Sequence, residues 1–501
     1  MRLTARTLVF VSAVGIALPV VIDAQSTPTT ARSEIRVQLG DLLSGDHRLW
    51  EAIRVYDQAK EGATHEQLVR ASTGLLKVLL QVAEFTRALR EAEYLRGLAP
   101  QDQAALAITG DAQWAAGLFD EAEQIYRDVL ALDPGSGRAR HGLARSFATR
   151  NQYDEALDWA EAALAASPDR AEFHHTLGSI YRLMHRFPEA ADAYERYVDL
   201  LVAQNATAEK TSWARSDARF VRSFGDRPAI QIADPGRLHT IPFRLVRDKV
   251  MVRGQVNGQD VDFVMDTGTE KTVLSQDVAR RVGVQPVTSM LSAGVGEVGL
   301  RGLQAGRIES LQFGSLQITH LPALIKSPPL GELPTLESDG FSPLAVGLSV
   351  TIDYGRRQLI IGQELPDEPA DIVLPLRQHR LTVVRGVVNG ELHRSFVVDT
   401  GGEVVSISRG TADLLPPMTV RQVPVKVYGT SGWDEGAYLM PGINLAFNQV
   451  EILNFSAVVL NLHRPSALLG FHIGGIVGHR FLRDYRVTLD LKRSVMKLKK
   501  L

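Results

Sequence analysis

Two Asp-Thr-Gly triplets, Asp266-Thr267-Gly268 and Asp399-Thr400-Gly401, stand 133 residues apart in this chain. Each follows an apolar stretch, Phe263-Val264-Met265 or Phe396-Val397-Val398, so each aspartate reads as the residue that ends a buried strand. Two carboxylates brought within a few ångströms cannot both ionise, and they share one proton. The ionised member then takes a proton from a water attacking an amide carbonyl, and the protonated member donates to the developing oxyanion. Thr267 and Thr400 supply short hydroxyls able to bond across such a pair, and Gly268 and Gly401 allow the tight bend that lets two loops meet. The chain contains no cysteine, which excludes disulfides, thiol nucleophiles, thiolate zinc sites and iron–sulfur clusters. A carboxylate pair needs none of these, so no cofactor and no metal are expected.

The elements that must position the pair occur twice as well. Val252-Arg253-Gly254-Gln255-Val256-Asn257-Gly258 returns as Val384-Arg385-Gly386-Val387-Val388-Asn389-Gly390, and in both copies Asn-Gly is a strong hairpin signal between two strands. This frame predicts two related β lobes, 241–365 and 366–501, packed about a pseudo-two-fold axis with Asp266 facing Asp399. A glycine-rich stretch follows each aspartate at a similar distance: Ala293-Gly294-Val295-Gly296-Glu297-Val298-Gly299, and Tyr428-Gly429-Thr430-Ser431-Gly432. The first formally fits a dinucleotide-binding glycine pattern, but it lies in an all-β context without the strand–helix–strand unit that such glycines serve.

This half of the chain, about 240–501, resembles the aspartic proteases, and within them bacterial two-lobed relatives of the retropepsins. The resemblance implies an all-β bilobal acid-protease barrel that hydrolyses peptide bonds, with Asp266 and Asp399 catalytic and Thr267, Gly268, Thr400 and Gly401 supporting the loops. It implies glycine-rich flaps over the cleft, assigning Gly294, Gly296, Tyr428 and Gly429 to substrate binding, with Tyr428 covering the bound peptide. Each Asp-Thr-Gly should lead into a strand and short helix, here Thr272 to Ser275 before Gln276 to Val282, and Val404 to Ser408 before Arg409 to Leu415. An apolar-apolar-Gly element should support each aspartate from below. Ile476-Val477-Gly478 keeps it in the second lobe, whereas Gly340-Phe341-Ser342-Pro343 departs in the first and places Pro343 where glycine is expected. The departure motivates an alternative to the protease: a non-catalytic peptide-binding scaffold with a degenerate protease fold.

Upstream, from about 46 to 205, the sequence is rich in Ala, Leu, Glu and Arg with helical periodicity, and it repeats every 34 residues. Ala88, Ala122, Ala156 and Ala190 are in register, as are Phe85, Phe119, Tyr153 and Phe187, and as are Pro100, Pro134 and Pro168. Small residues allow close helix crossing, the aromatics fill grooves and the prolines end helices. The pattern resembles the tetratricopeptide repeat, with Leu177-Gly178 and Tyr181 at the first-helix positions of the last unit. Four units are expected, with Leu49 to Lys60 part of a degenerate fifth, forming an all-α solenoid whose concave face, by the resemblance, takes a peptide or protein partner. Residues 25–45 and 206–240 read as linkers, the latter carrying breaker clusters such as Asp234-Pro235-Gly236. His174-His175 has no metal-ligand spacing and reads as a helix-surface pair.

The first 24 residues read as a secretory signal peptide: Arg2 and Arg6 precede an apolar run from Leu8 to Ile22, and Ala24 offers a small residue before Gln25. The run is shorter than the roughly 20 apolar residues that span a bilayer, so an uncleaved anchor is the less favoured reading. The expected product is exported, periplasmic or secreted from a bacterium, with no stable membrane span after cleavage. With 55 Lys+Arg against 57 Asp+Glu, the chain has no electropositive surplus, and nucleic acid is not an expected partner. The terminal Lys492 to Lys500 reads as a charged edge strand.

Overall fold

The computed structural model describes residues 28–225, 227, 229–246, 248–292, 294–296, 301–326, 339–416, 422–429 and 432–501. The expected signal peptide, residues 1–24, lies outside the described residues, as do Ala293, Glu297 to Gly299, Thr430 and Ser431 of the two glycine-rich stretches.

Eleven helices come first: α1 (Pro28–Gly45), α2 (Leu49–Ala59), α3 (His65–Gln81), α4 (Phe85–Leu98), α5 (Gln103–Ala115), α6 (Phe119–Leu132), α7 (Gly137–Thr149), α8 (Tyr153–Ala166), α9 (Ala171–Leu183), α10 (Phe187–Ala203) and α11 (Ala208–Arg222). The four units are the pairs α3–α4 to α9–α10. Phe85, Phe119, Tyr153 and Phe187 are the first residues of the four second helices, and the four alanines three positions later are fully buried at the helix crossings. Pro100, Pro134 and Pro168 each stand two residues past a helix end. Side-chain caps from Thr64, Asp102 and Ser136 start α3, α5 and α7, each accepting from a backbone N–H of the first turn.

Both expected linkers contain a helix. Residues 28–45 form α1, which packs Val37 and Leu43 into the array and completes the fifth unit with α2. The unit escaped the 34-residue register because Leu49 and Phe85, the starts of α2 and α4, are 36 apart (85 − 49), with Glu51 at the place the period gives an aromatic. In 206–240, α11 is a closing helix, capped by Thr207, that buries Ala218, Phe220 and Val221 against α10; only the stretch beyond Arg222 connects to the β half.

In each lobe a hairpin precedes the Asp-Thr-Gly triplet. Strand Lys249–Val256 pairs antiparallel with Gln259–Met265, and Leu381–Val388 with Leu392–Val398. The Asn-Gly corners have positive φ at both residues (49° and 80°; 50° and 80°), the geometry that suits the twist of a tight hairpin. The strand ending at the aspartate is flanked by a parallel partner, Asp339–Phe341 in the first lobe and Gly475–Val477 in the second. A six-stranded antiparallel layer joins the lobes. Strand Ser349–Asp353 of the first pairs with Tyr485–Asp490 of the second, and Val495–Lys500 lies between Tyr485–Asp490 and Ile372–His379. The C-terminal strand is therefore interior and not an edge: Met496 and Leu498 point into the core while lysines alternate outward. The edge is taken by His239–Pro242.

The array and the β half share cores. Phe119 lies edge-on to Phe471 with ring centroids 5.3 Å apart, and Trp114 edge-on to His379 at 5.3 Å. Ser395 donates its hydroxyl to Gly117 O at 2.6 Å, and His472 its backbone N–H to Ala115 O at 2.7 Å. On the first lobe, Phe187, Tyr194, Phe220 and Phe224 form one cluster with Ala305 and Leu324. No helix among the described residues is long and apolar enough to cross a membrane.

Candidate active site

Asp266 and Asp399 each leave the end of a buried strand and enter a loop that faces the other lobe. The backbone holds both in the same way: Asp266 N donates to Phe341 O at 2.9 Å, and Asp399 N to Val477 O at 3.0 Å. Four reciprocal bonds lock the loops together. Thr267 Oγ1 donates to Val398 O (2.7 Å) and accepts from Thr400 N (3.1 Å), while Thr400 Oγ1 donates to Met265 O (2.6 Å) and accepts from Thr267 N (3.1 Å). Both threonines are buried, so every one of these groups would lack a partner if the lobes parted.

The glycines are required by contact. A Cβ on Gly268 would stand 2.5 Å from Asp399 Cγ, and one on Gly401 would stand 2.6 Å from Asp266 Cγ. Each carboxyl thus rests on the glycine of the opposite loop. Gly268 N donates to Asp266 Oδ1 (2.9 Å); Gly401 N and Gly402 N both donate to Asp399 Oδ1 (2.8 and 2.9 Å). Burial, and next the charge of Asp266 alongside, push the Asp399 carboxyl up to about 7. Burial also raises Asp266, opposed by the Gly268 N–H. Both shifts run toward the protonated form, as expected for two carboxyls buried side by side.

The structure corrects the position of the altered support in the first lobe. Strand register aligns Gly340 and Phe341 with Val264 and Met265, as Ile476 and Val477 align with Val397 and Val398. Ser342, not Pro343, therefore occupies the place of Gly478. Pro343 comes one residue later and opens the short 3-10 turn Leu344–Val346, where its fixed φ is suited to a helix start. Ser342 is accommodated and buried, whereas a Cβ on Gly478 would collide with the backbone of Val404.

The two glycine-rich stretches meet each other. Strands Pro286–Ser292 and Arg301–Phe313 carry Gly294 and Gly296, and Val427–Gly429 pairs with Gly432–Asp434. Val295 of the first flap touches Gly429 of the second closely enough to leave no room for a Cβ there. Tyr428 packs edge-on to Trp433 at 5.3 Å and is 42% exposed.

Sequence reasoning missed the groups just past each triplet. Glu270 receives Arg380 Nε at 2.8 Å across the lobe boundary, and Arg380 Nη1 also donates to Leu468 O at 2.6 Å. Burial opposes ionisation of Glu270, but Arg380 and Lys271 hold its carboxyl down at about 2. The signal was present: Arg247 and Arg380 are separated by the same 133 residues as Glu270 and Glu403 and as the two aspartates. Asp339, which accepts from Ser275 N at 2.6 Å, has no acidic counterpart in the second lobe, where Gly475 takes its place.

Comparison with known proteins agrees with this division. Residues 252–333 match the family model described as "gag-polyprotein putative aspartyl protease", and residues 74–137 and 113–180 match tetratricopeptide repeat models. A Hsp70-Hsp90 organizing protein of Triticum aestivum is 31% identical over 87 residues, 17% of this chain; the chain spans 15% of that relative's length. Among solved structures, a thermophilic tetratricopeptide repeat protein of Thermus thermophilus is 18% identical and covers 38% of this chain and 98% of its own (TM-score 0.31). MamA from Desulfovibrio magneticus RS-1 is 15% identical, covering 35% and 98% (TM-score 0.27). The chain thus joins a helical repeat array to a β-rich, protease-like region.

Proposed function

We propose that this protein is an exported aspartic endopeptidase whose repeat array binds a peptide or protein. The observation that carries the reading is the pair itself: two carboxyls, each seated against the opposite loop's glycine, on loops tied together by the crossed threonine bonds. In the reaction, ionised Asp266 accepts a proton from a water as its oxygen bonds to the amide carbon, and Asp399 gives its proton to the carbonyl oxygen. The resulting tetrahedral diol collapses as the amide nitrogen takes the proton from Asp266, one diol hydroxyl returns its proton to Asp399, and the C–N bond breaks. Atoms and charge balance with water alone. The array's shared cores with both lobes support a single working unit in which protein recognition lies beside hydrolysis.

Purified protein incubated with a peptide library should yield internal cleavages that a transition-state analogue of aspartic proteases blocks. Unchanged cleavage by Asp266→Asn or Asp399→Asn would refute the assignment. For export, N-terminal sequencing of protein recovered from the periplasm or medium should begin at Gln25; recovery only from the cytoplasm with Met1 retained would refute it. The scaffold alternative drew its motive from Pro343, and that residue sits beyond the supporting position. The endopeptidase is the reading we retain.

A further inference from the structure

Resting on the protease reading, we infer that Lys271 and the array's Arg182 form a carboxylate-binding subsite at the first lobe's end of the cleft, so that the repeat array helps select the substrate. The two cleft ends begin alike. Lys271 and Val404 are each five residues past their aspartate, on the same turn of the duplicated loop. Val404 packs against the same apolar core as Val295, Val427 and Ile476, which gives this position an apolar setting. Its counterpart is a lysine, and its surroundings differ because α9 to α11 pack there. Val273, two residues after Lys271, lies on the cluster of Tyr194, Phe220 and Phe224.

Charge at this end is unbalanced. Five ionised groups sense one another: Glu270, Lys271, Arg380, Arg182 of α9 and Asp217 of α11. Arg380 is committed to Glu270 and to a backbone carbonyl. Burial raises the Asp217 carboxyl, which weakens it as a counter-charge. Among the described residues neither the Lys271 ammonium nor the Arg182 guanidinium has a hydrogen-bonded or ion-paired partner. Burial pushes Lys271 down to about 8, partly offset by Glu270, so an arriving carboxylate would meet a poorly solvated cation and complete its pairing. The carboxylate can come from an acidic side chain or from the substrate's C terminus.

The test uses full-length protein and fluorogenic peptides bearing Glu or Gln at each position around the cleaved bond, with free or amidated C termini. One position should favour Glu over Gln by about tenfold in kcat/KM. The ratio should fall toward one in Lys271→Met, fall partly in Arg182→Met, and give way to a preference for lysine in Lys271→Glu. A preference tied only to the free terminus would also uphold the site and identify the terminus as its ligand. Cleavage with no preference for a carboxylate at any position, or a preference undiminished in Lys271→Met, overturns the inference and leaves the protease standing. If no peptide is cleaved at all, the protease reading fails, and anisotropy of the same peptides on the Asp399→Asn chain decides this one. Tighter binding of Glu peptides that Lys271→Met abolishes upholds it, and equal or no binding overturns it.

Discussion

Residues 266–271 and 399–404 are one loop built twice, and their immediate bonds are the same to within about 0.1 Å: the backbone anchors, the crossed threonines and the glycines under the opposite carboxyls. One turn further on they diverge. Glu270 is partly buried and paired with Arg380, while Glu403, its equivalent, is exposed. Asp339 stands where the second lobe has Gly475, and Ser342 where it has Gly478. Around the axis the two halves are held alike, apart from the second backbone N–H that Gly402 gives Asp399; what surrounds them answers to each lobe's own neighbour.

The strongest way to break the symmetry at the axis is Asp266→Asn or Asp399→Asn. Each should lower kcat by about 10³-fold, in equal measure, since neither half can share a proton alone. Unequal losses in a steady-state assay would show that the two carboxyls do not act as one unit. Next in size, Glu270→Gln should cost about 2 kcal/mol in denaturant unfolding by leaving Arg380 uncompensated, whereas Glu403→Gln should stay within about 0.5 kcal/mol. Gly478→Ser should destabilise by about 2 kcal/mol through its clash with Val404. In the opposite sense, Ser342→Ala should stabilise by about 1 kcal/mol, because among the described residues the buried Ser342 hydroxyl has no hydrogen-bond partner. The same denaturant series measures both.

A pH series sharpens the comparison within the pair. Asp399, with its folded value raised to about 7, keeps its proton in the folded state after the unfolded chain has released it. The folded state then binds more protons between about pH 4 and 7, so stability falls as pH rises through that window. Asp399→Asn should flatten this slope in thermal melts and raise Tm at neutral pH. Activity should decline above about pH 7 as the shared proton leaves.

Much of this was legible because duplication writes the same constraint twice. The triplets, the Asn-Gly corners and the 34-residue register each rest on repeated local geometry, which spacing records directly. What escaped was set by tertiary neighbours. The Glu270–Arg380 pair spans 110 residues and two lobes. Pro343 was misplaced by one position because only strand pairing fixes register. The fifth repeat was legible only in its second helix, because its helices keep the packing while its spacing slips, and α1 read as a linker.

The six-stranded layer that joins the lobes has a consequence for dilution. Where two separate chains must meet to bring their aspartates together, the fraction assembled falls with protein concentration. Here Ser349–Asp353 and Tyr485–Asp490 are hydrogen-bonded strands of one molecule, with the Thr351 and Thr488 hydroxyls 2.8 Å apart. Mass action therefore has no hold on the pairing, and a molecule released alone into a large volume carries both halves of its site with it.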